Sequence, residues 1–349
     1  MSANPILKAA FFEGNWHDSL CTQLWSIAER QPSAANLKLA LDTSHCIEGI
    51  DNTRIEQVDE LIKDRRLTSW PLFFRLCSFD IATNRTDRLQ APLTQHIGTS
   101  LSFRQRRALM KFPRVLDYLN QHHQALLNRK LFVEAEKARG LLARSITIKQ
   151  LLDELGTADS SKRVALVGNG PSLEGNAAGN DIDAHDIVIR FNNTGVLPVS
   201  TAEISADIGN KTTLWVASPG LNFDTVRAAA SRCAVTGPDP WTRASRYWTQ
   251  VAMLAITHIA IFDLQRWHCL VRELSAPPSA GLLMIDALRQ AGVDASTMTT
   301  FGFNRLESYK VMDGASNEEA ANHYRDDAVR SDRHNWSAEA TLYQKWCGS

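Results

Sequence analysis

The sequence lacks a surplus of either charge: 38 Lys and Arg balance 38 Asp and Glu over 349 residues. A generic nucleic-acid binder needs a basic excess to displace counterions, so that class is set aside. Long apolar runs are also missing. The longest uncharged stretch, Tyr247 to Phe262, is shorter than the roughly 18–20 residues of a membrane span, and Thr249, Gln250, Thr257 and His258 interrupt it. The first residues show no basic patch leading into a continuous apolar run, so no signal peptide is expected. Cysteine is sparse: the six stand at 21, 46, 77, 233, 269 and 347 and form no CxxC pair. A zinc ribbon or dithiol redox motif is thereby excluded. A chain of this length can build a core without staples, so reduced cysteines in a cytosolic protein are expected. No HExxH, Walker A or GxSxG motif occurs, and the metalloprotease, P-loop and serine-hydrolase readings fall with them.

What is present is an ordinary globular composition, 44% hydrophobic and 22% charged, long enough for two domains. The neutral total hides a gradient. Residues 1–150 hold 21 basic and 15 acidic side chains, and residues 151–349 hold 17 and 23. The first part reads as mainly helical. Ile55, Val58, Leu61 and Ile62 repeat at three and four, and apolar residues recur at near-helical spacing from Val115 to Leu142. Pro32, Pro71, Pro92 and Pro113 mark helix boundaries. Arg104, Arg106, Arg107, Lys111 and Arg114 form a basic cluster, either a solvated helix face or a contact for an anion or membrane surface.

From about residue 151 the texture changes, after a short linker at Ala158–Ser161. Strands are expected at Val164–Val167, Ile187–Ile189, Thr213–Val216, Ala234–Thr236, Ile256–Phe262 and Met298–Phe303. Helices are expected near 222–231, 242–253, 263–273, 279–291 and 337–346. Alternation of this kind implies an α/β layer on a largely parallel sheet, with ligands at the carboxyl ends of the strands.

The most informative stretch is Arg163 to Thr194. A buried strand runs into Gly168-Asn169-Gly170-Pro171-Ser172, where glycines let the backbone turn and offer N–H groups to an anion. Such loops serve dinucleotides, flavins, S-adenosylmethionine and sugar nucleotides alike, and the dinucleotide fingerprint fails because Leu173 stands where its third glycine belongs. Asp181, Asp183 and Asp186 look like a metal cluster but read better as a turn and helix cap. His185, His258 and His268 read as packing residues.

Four motifs in order then resemble glycosyltransferase family 29, the eukaryotic-type sialyltransferases. Val167-Gly168-Asn169, followed by Gly175, Gly179, Ile182, Asp183, His185-Asp186 and Arg190-Phe191-Asn192, is similar to the family's large motif. Pro278-Ser279-Ala280-Gly281-Leu282-Leu283-Met284, ending at Phe301-Gly302-Phe303, resembles the small motif. His323-Tyr324 resembles the third motif, and His334 to Glu339 has the spacing of the very small motif. The resemblance implies a three-layer Rossmann-like nucleotide-binding domain, a GT-A-like variant, at 156–349, behind a mainly helical region at 1–155.

By the same resemblance the donor is a CMP-sugar. Gly168, Asn169, Gly170 and Asn192 hold the CMP, while Ser279, Ala280, Gly281 and Gly302 lie against the donor. His323 donates to the leaving phosphate, His334 is the general base and Glu339 organises the segment around it. No cofactor and no metal is implied. The acceptor is a glycan or lipid-linked saccharide, and nucleic acid is no partner. The family's bridging cysteine is replaced by Val164, which agrees with a reducing cytoplasm and a bacterial relative, acting there or peripherally at the inner membrane face. Gly170 and Ala280 replace family hydroxyl residues, so CMP-Kdo or another CMP-linked nonulosonic acid stands beside CMP-sialic acid. Two other readings remain open: an oxidoreductase or methyltransferase using Val167–Ser172 for a different nucleotide, and a non-catalytic nucleotide-binding module.

Overall fold

A computed structural model describes residues 5–17, 19–65, 69–89, 101–192, 202–218, 230–242, 248–303 and 333–347. The chain forms two compact units. One comprises residues 1–12, 17–145 and 239–253, and the other 13–16, 146–238 and 254–349.

The first unit is helical, as its periodicity implies. Its helices include Ser19–Arg30, Ala34–Ile47, Asn52–Arg65, Trp70–Ala82, Pro113–His122 and Arg129–Ala143. Pro71 and Pro113 sit in the first turns of theirs, where a missing N–H costs nothing. Pro92 lies outside the described residues. The Val115–Leu142 stretch divides in two, because Asn128 caps the second helix by accepting from the Leu131 N–H at 3.0 Å. Residues 239–253 join this unit through arginines and a tryptophan that satisfy their polar groups. Arg75 is fully buried, pairs with Asp42 at 2.7 Å and donates to the Thr242 carbonyl. Arg114 pairs with Asp239 at 2.6 Å, Arg144 donates to the Ala252 carbonyl at 2.8 Å, and the Trp248 indole donates to the Met110 carbonyl at 2.8 Å.

The second unit contains a seven-stranded sheet. Its strands are β1 (Ser145–Thr147), β2 (Val164–Val167), β3 (Ile187–Phe191), β4 (Leu214–Ala217), β5 (Arg232–Val235), β6 (His258–Ile261) and β7 (Met298–Phe301). They lie in the order β1-β6-β5-β4-β3-β2-β7, and the pairings from β6 through to β7 are parallel. The α/β class and all six expected strands are therefore present. β2 is buried throughout, as a continuous Val/Ala/Leu run between two neighbours should be. From β2 the chain steps outward to β6 on one side and returns to β7 on the other. That reversal is a topological switch point, where open α/β sheets bind ligands.

Several boundaries shift. β7 ends at Phe301 and not at Phe303, because Gly302 turns out of the sheet at φ +69°. The expected linker at Ala158–Ser161 lies inside the second unit, one segment of which runs from Ile146 to Pro238. The helix Ile148–Leu155 belongs to it, opened by a capping box at Thr147 and closed by Gly156 in the left-handed region. The sequence reading missed β1 and the helix Ala202–Ile208. It also missed the short helix Gly179–Asp183 inside the large motif. Expected helix 279–291 appears as Ala280–Gln290, 263–273 as Leu264–Leu274 and 337–346 as Trp336–Cys347. Residues 219–229, most of the helix expected near 222–231, lie outside the described residues, and so do 243–247.

One charged side chain braces β3. Arg190 is fully buried. It donates to the Lys211 carbonyl at 2.8 Å and the Ile208 carbonyl at 2.6 Å, with Asp183 at 3.8 Å. Burial pulls its pKa down to about 10. We expect Arg190→Met to lose about 3 kcal/mol of unfolding free energy in urea, since charge-assisted bonds to two carbonyls vanish and both carbonyls are left dry. A loss below about 1 kcal/mol would show that water replaces the guanidinium.

Candidate active site

The site grows from the end of β2. Val167 is in register with Phe301, and the two chains stay laced beyond the sheet. Gly168 N–H donates to the Phe301 carbonyl at 2.8 Å and Gly170 N–H to the Gly302 carbonyl at 2.9 Å. The glycines are sterically required here. A methyl group on Gly168 would lie 2.5 Å from the Gly302 oxygen and 3.0 Å from the Phe303 ring, and one on Gly281 would lie 2.7 Å from that ring. Phe303 thus fills the space between the β2 loop and the start of the helix Ala280–Gln290. It also meets Phe191 edge-to-face at 5.7 Å. The large and small motifs converge on this ring, which the sequence reading quoted only as part of a motif. Nothing in an apolar residue type announces such a role.

Two asparagines flank the loop. The Asn169 Oδ1 is buried and lacks a hydrogen-bond partner, an unmet acceptor of the kind a ligand N–H or O–H satisfies. Asn192 sits at φ +49°, a conformation that asparagine tolerates. Its Oδ1 accepts from the Ser218 N–H at 2.9 Å, which leaves the –NH2 edge of the amide for a ligand.

The helix Ala280–Gln290 starts at Ser279, whose hydroxyl accepts from the Leu282 N–H at 3.2 Å and donates to Glu339 at 2.5 Å. The Ser279 N–H donates to the other Glu339 oxygen at 2.7 Å. The serine hydroxyl expected against the donor is therefore occupied within the protein. What remains for a ligand at this helix start are the N–H groups of Ala280 and Gly281.

Residues 334–339 are sewn to this corner at three points. His334 Nδ1 lies 2.8 Å from the Pro277 carbonyl, Asn335 donates to the Leu274 carbonyl at 3.0 Å, and Glu339 holds Ser279. A carbonyl only accepts, so Nδ1 carries the proton and neutral His334 keeps its lone pair on Nε2. Trp336 packs edge-to-face on the imidazole at 5.1 Å. Glu339 is fully buried, and its Oε1 is 3.8 Å from His334 Nδ1. Burial pushes the Glu339 carboxyl up to about 8, against the smaller opposing effect of the two Ser279 bonds.

The acidic cluster of the large motif is structural. Asp183 accepts from the Asn210 and Lys211 N–H groups, and Asp186 accepts from the Arg163 N–H at 2.8 Å. His185 is fixed between the Asp181 carbonyl at 2.8 Å and Thr299 at 3.2 Å. Among the described residues no group of three or more His, Cys, Asp or Glu is placed to hold a metal ion. No described helix is long and apolar enough to cross a membrane. The six cysteines are unbridged. His323 and Tyr324 lie outside the described residues.

Comparison with known proteins bears on the first half of this site. Residues 108–236 match the sequence profile of glycosyltransferase family 29 (sialyltransferase). The match starts well before residue 150, where motif reading had found no likeness, and it ends before the small motif. Sialyltransferase-like protein 2 of Oryza sativa subsp. indica is 45% identical over 71 residues, 20% of this chain and 17% of that protein. The alignment thus spans about a sixth of its relative. Two solved structures of a mammalian sialyltransferase, one in complex with Gal-beta-1-3GalNAc-ortho-nitrophenol, share 19% identity with this chain. They cover 67% and 68% of it, and it covers 82% and 83% of them, with TM-scores of 0.39 and 0.40.

The Glu339 environment makes a signed prediction. A carboxyl whose folded pKa lies above its unfolded value near 4.5 is more protonated in the fold, so stability falls as pH rises from about 5 to about 8. Glu339→Gln can keep both Ser279 contacts and cannot titrate. Its unfolding free energy, followed across that window in urea, should lack a component of up to about 1.4 kcal/mol per pH unit present in the wild type. Identical pH slopes would mean that the carboxylate is ionised in the fold.

Proposed function

Because residues 108–236 match the sequence profile of glycosyltransferase family 29, we propose that the chain is an inverting, metal-independent transferase. It would move a sialic acid, or a related 2-keto acid sugar such as Kdo, from a CMP donor to a glycan hydroxyl. The acceptor oxygen attacks the anomeric carbon as the bond to CMP breaks, and the acceptor proton passes to a base. The anomeric centre turns positive in the transition state while negative charge builds on the departing phosphate.

The observation that carries this reading is the His334 tautomer. Nδ1–H is spent on the Pro277 carbonyl, so the lone pair of the neutral ring is on Nε2, and that carbonyl lies two residues before Ser279, at the start of a helix that suits an anion. Glu339 is a positioning residue. Burial pushes its carboxyl up to about 8, which lessens the negative charge that would compete at the helix start with the donor's carboxylate or phosphate. Asn169 and Asn192 would hold the CMP, with Gly168, Gly170 and Gly302 letting the backbone come close. His323 is assigned to the leaving phosphate by the motif resemblance alone.

The test follows CMP release from CMP-sialic acid and from CMP-Kdo, without acceptor and then with candidate glycans. His334→Ala should lose transfer by about 10²–10⁴-fold, the usual worth of a general base, with CMP binding kept. Asn169→Ala should weaken CMP binding by about tenfold, the worth of one hydrogen bond. Full transfer by His334→Ala would remove it as the base. Stabilisation by NAD or S-adenosylmethionine but not CMP in a thermal shift would point to the oxidoreductase or methyltransferase reading.

A further inference from the structure

The helical unit carries surface features that the catalytic reading leaves unused. The five large apolar side chains exposed among the described residues, Ile6, Phe12, Phe103, Val133 and Met253, all belong to it. It is also the basic unit, with 22 Lys and Arg against 15 Asp and Glu.

Both properties meet on the helix Phe103–Leu109. At 100° per residue, Phe103, Arg104 and Arg107 fall within one arc of about 100°, and Lys111 follows in the turn two residues past the helix end. All four are exposed, Phe103 at 71%. The opposite face, Gln105, Ala108 and Leu109, is buried. A full capping box between Ser102 and Gln105 starts the helix, and burial of Gln105, Ala108 and Leu109 decides which face is exposed. No Asp or Glu occurs from Arg88 to Leu116. The cluster's remaining member, Arg114, is engaged with Asp239 and does not count toward the free charge. On the helix Arg129–Ala143 the exposed Val133 is preceded one turn back by exposed Arg129 and Lys130, a second, smaller instance of the same chemistry.

A solvated helix face has no use for a phenylalanine, and an ordinary protein interface of balanced charge has no use for three unopposed cations around it. An anionic bilayer surface suits both. The cations meet headgroup phosphates, and the ring enters the boundary with the acyl chains. We propose that Phe103, Arg104, Arg107 and Lys111 form a docking face for anionic lipid, which holds the chain peripherally on a membrane.

The experiment is co-sedimentation of the full chain with vesicles of phosphatidylcholine alone and of phosphatidylcholine mixed with phosphatidylglycerol, at low and high salt. Wild type should bind the mixed vesicles only, and less at high salt. The combined R104E, R107E and K111E variant should lose at least about 100-fold in partitioning, at roughly one kcal/mol per basic residue. Phe103→Ser should lose about tenfold. A control with the same net charge change, K149E, R272E and K345E, alters exposed residues of the other unit and should bind as wild type. Unfolding midpoints should stay level, since none of the docking side chains is buried. Equal binding to both vesicle types, undiminished binding by the triple variant, or equal loss in the control overturns the proposal. So does retention on heparin without vesicle binding. None of these outcomes depends on the transferase being active.

Discussion

The lacing of the β2 exit to the β7 exit is the constraint on which the candidate site rests. Two N–H to carbonyl bonds, from Gly168 and Gly170, carry the strand register past the edge of the sheet. They bring the backbones too close for any Cβ at Gly168. Phe303 then occupies the one space left, against Gly168, Gly281 and Phe191. A glycine loop, a helix start and the end of β3 are thus held around one ring. Each is an ordinary element. Their value as a site comes from being fixed relative to one another before any ligand arrives.

A second layer stands behind this corner. Residues 334–339 carry the base candidate, yet most of their bonds serve to hold them to Leu274, Pro277 and Ser279. His334 is oriented by a neutral carbonyl, with Glu339 further away at 3.8 Å. The buried carboxyl acts on Ser279 and, through it, on the helix start. This division assigns Glu339 to architecture, since its two oxygens are both engaged with Ser279. The large motif divides the same way. Arg190, Asp183, Asp186 and His185 brace backbone, whereas the Asn169 Oδ1 is buried without a hydrogen-bond partner among the described residues.

Much of the fold was legible because it is written in local pattern. A short, β-branched apolar run followed at once by glycines, such as Val164–Val167, reads as an interior strand of a parallel sheet, and the prolines at 71 and 113 mark helix starts by their missing N–H. The misses have physical causes. β1 is a three-residue edge strand without a burial pattern of its own. Residues 239–253 read as part of the α/β alternation, yet Arg75, Arg114 and Arg144 draw them into the helical unit. Pairings across more than a hundred residues leave no periodic trace.

The sequence by itself determined the class of the fold, the order of its strands along the chain and the candidate chemistry of four motifs. Residue type and spacing are local properties, and the motifs are local strings. Only the tertiary structure decided which members of those strings are bound within the fold. Ser279 could have offered its hydroxyl outward; the buried Glu339 beside it takes that hydroxyl instead. His334 could have carried its proton on either nitrogen; the Pro277 carbonyl settles it, because an oxygen lone pair can only accept.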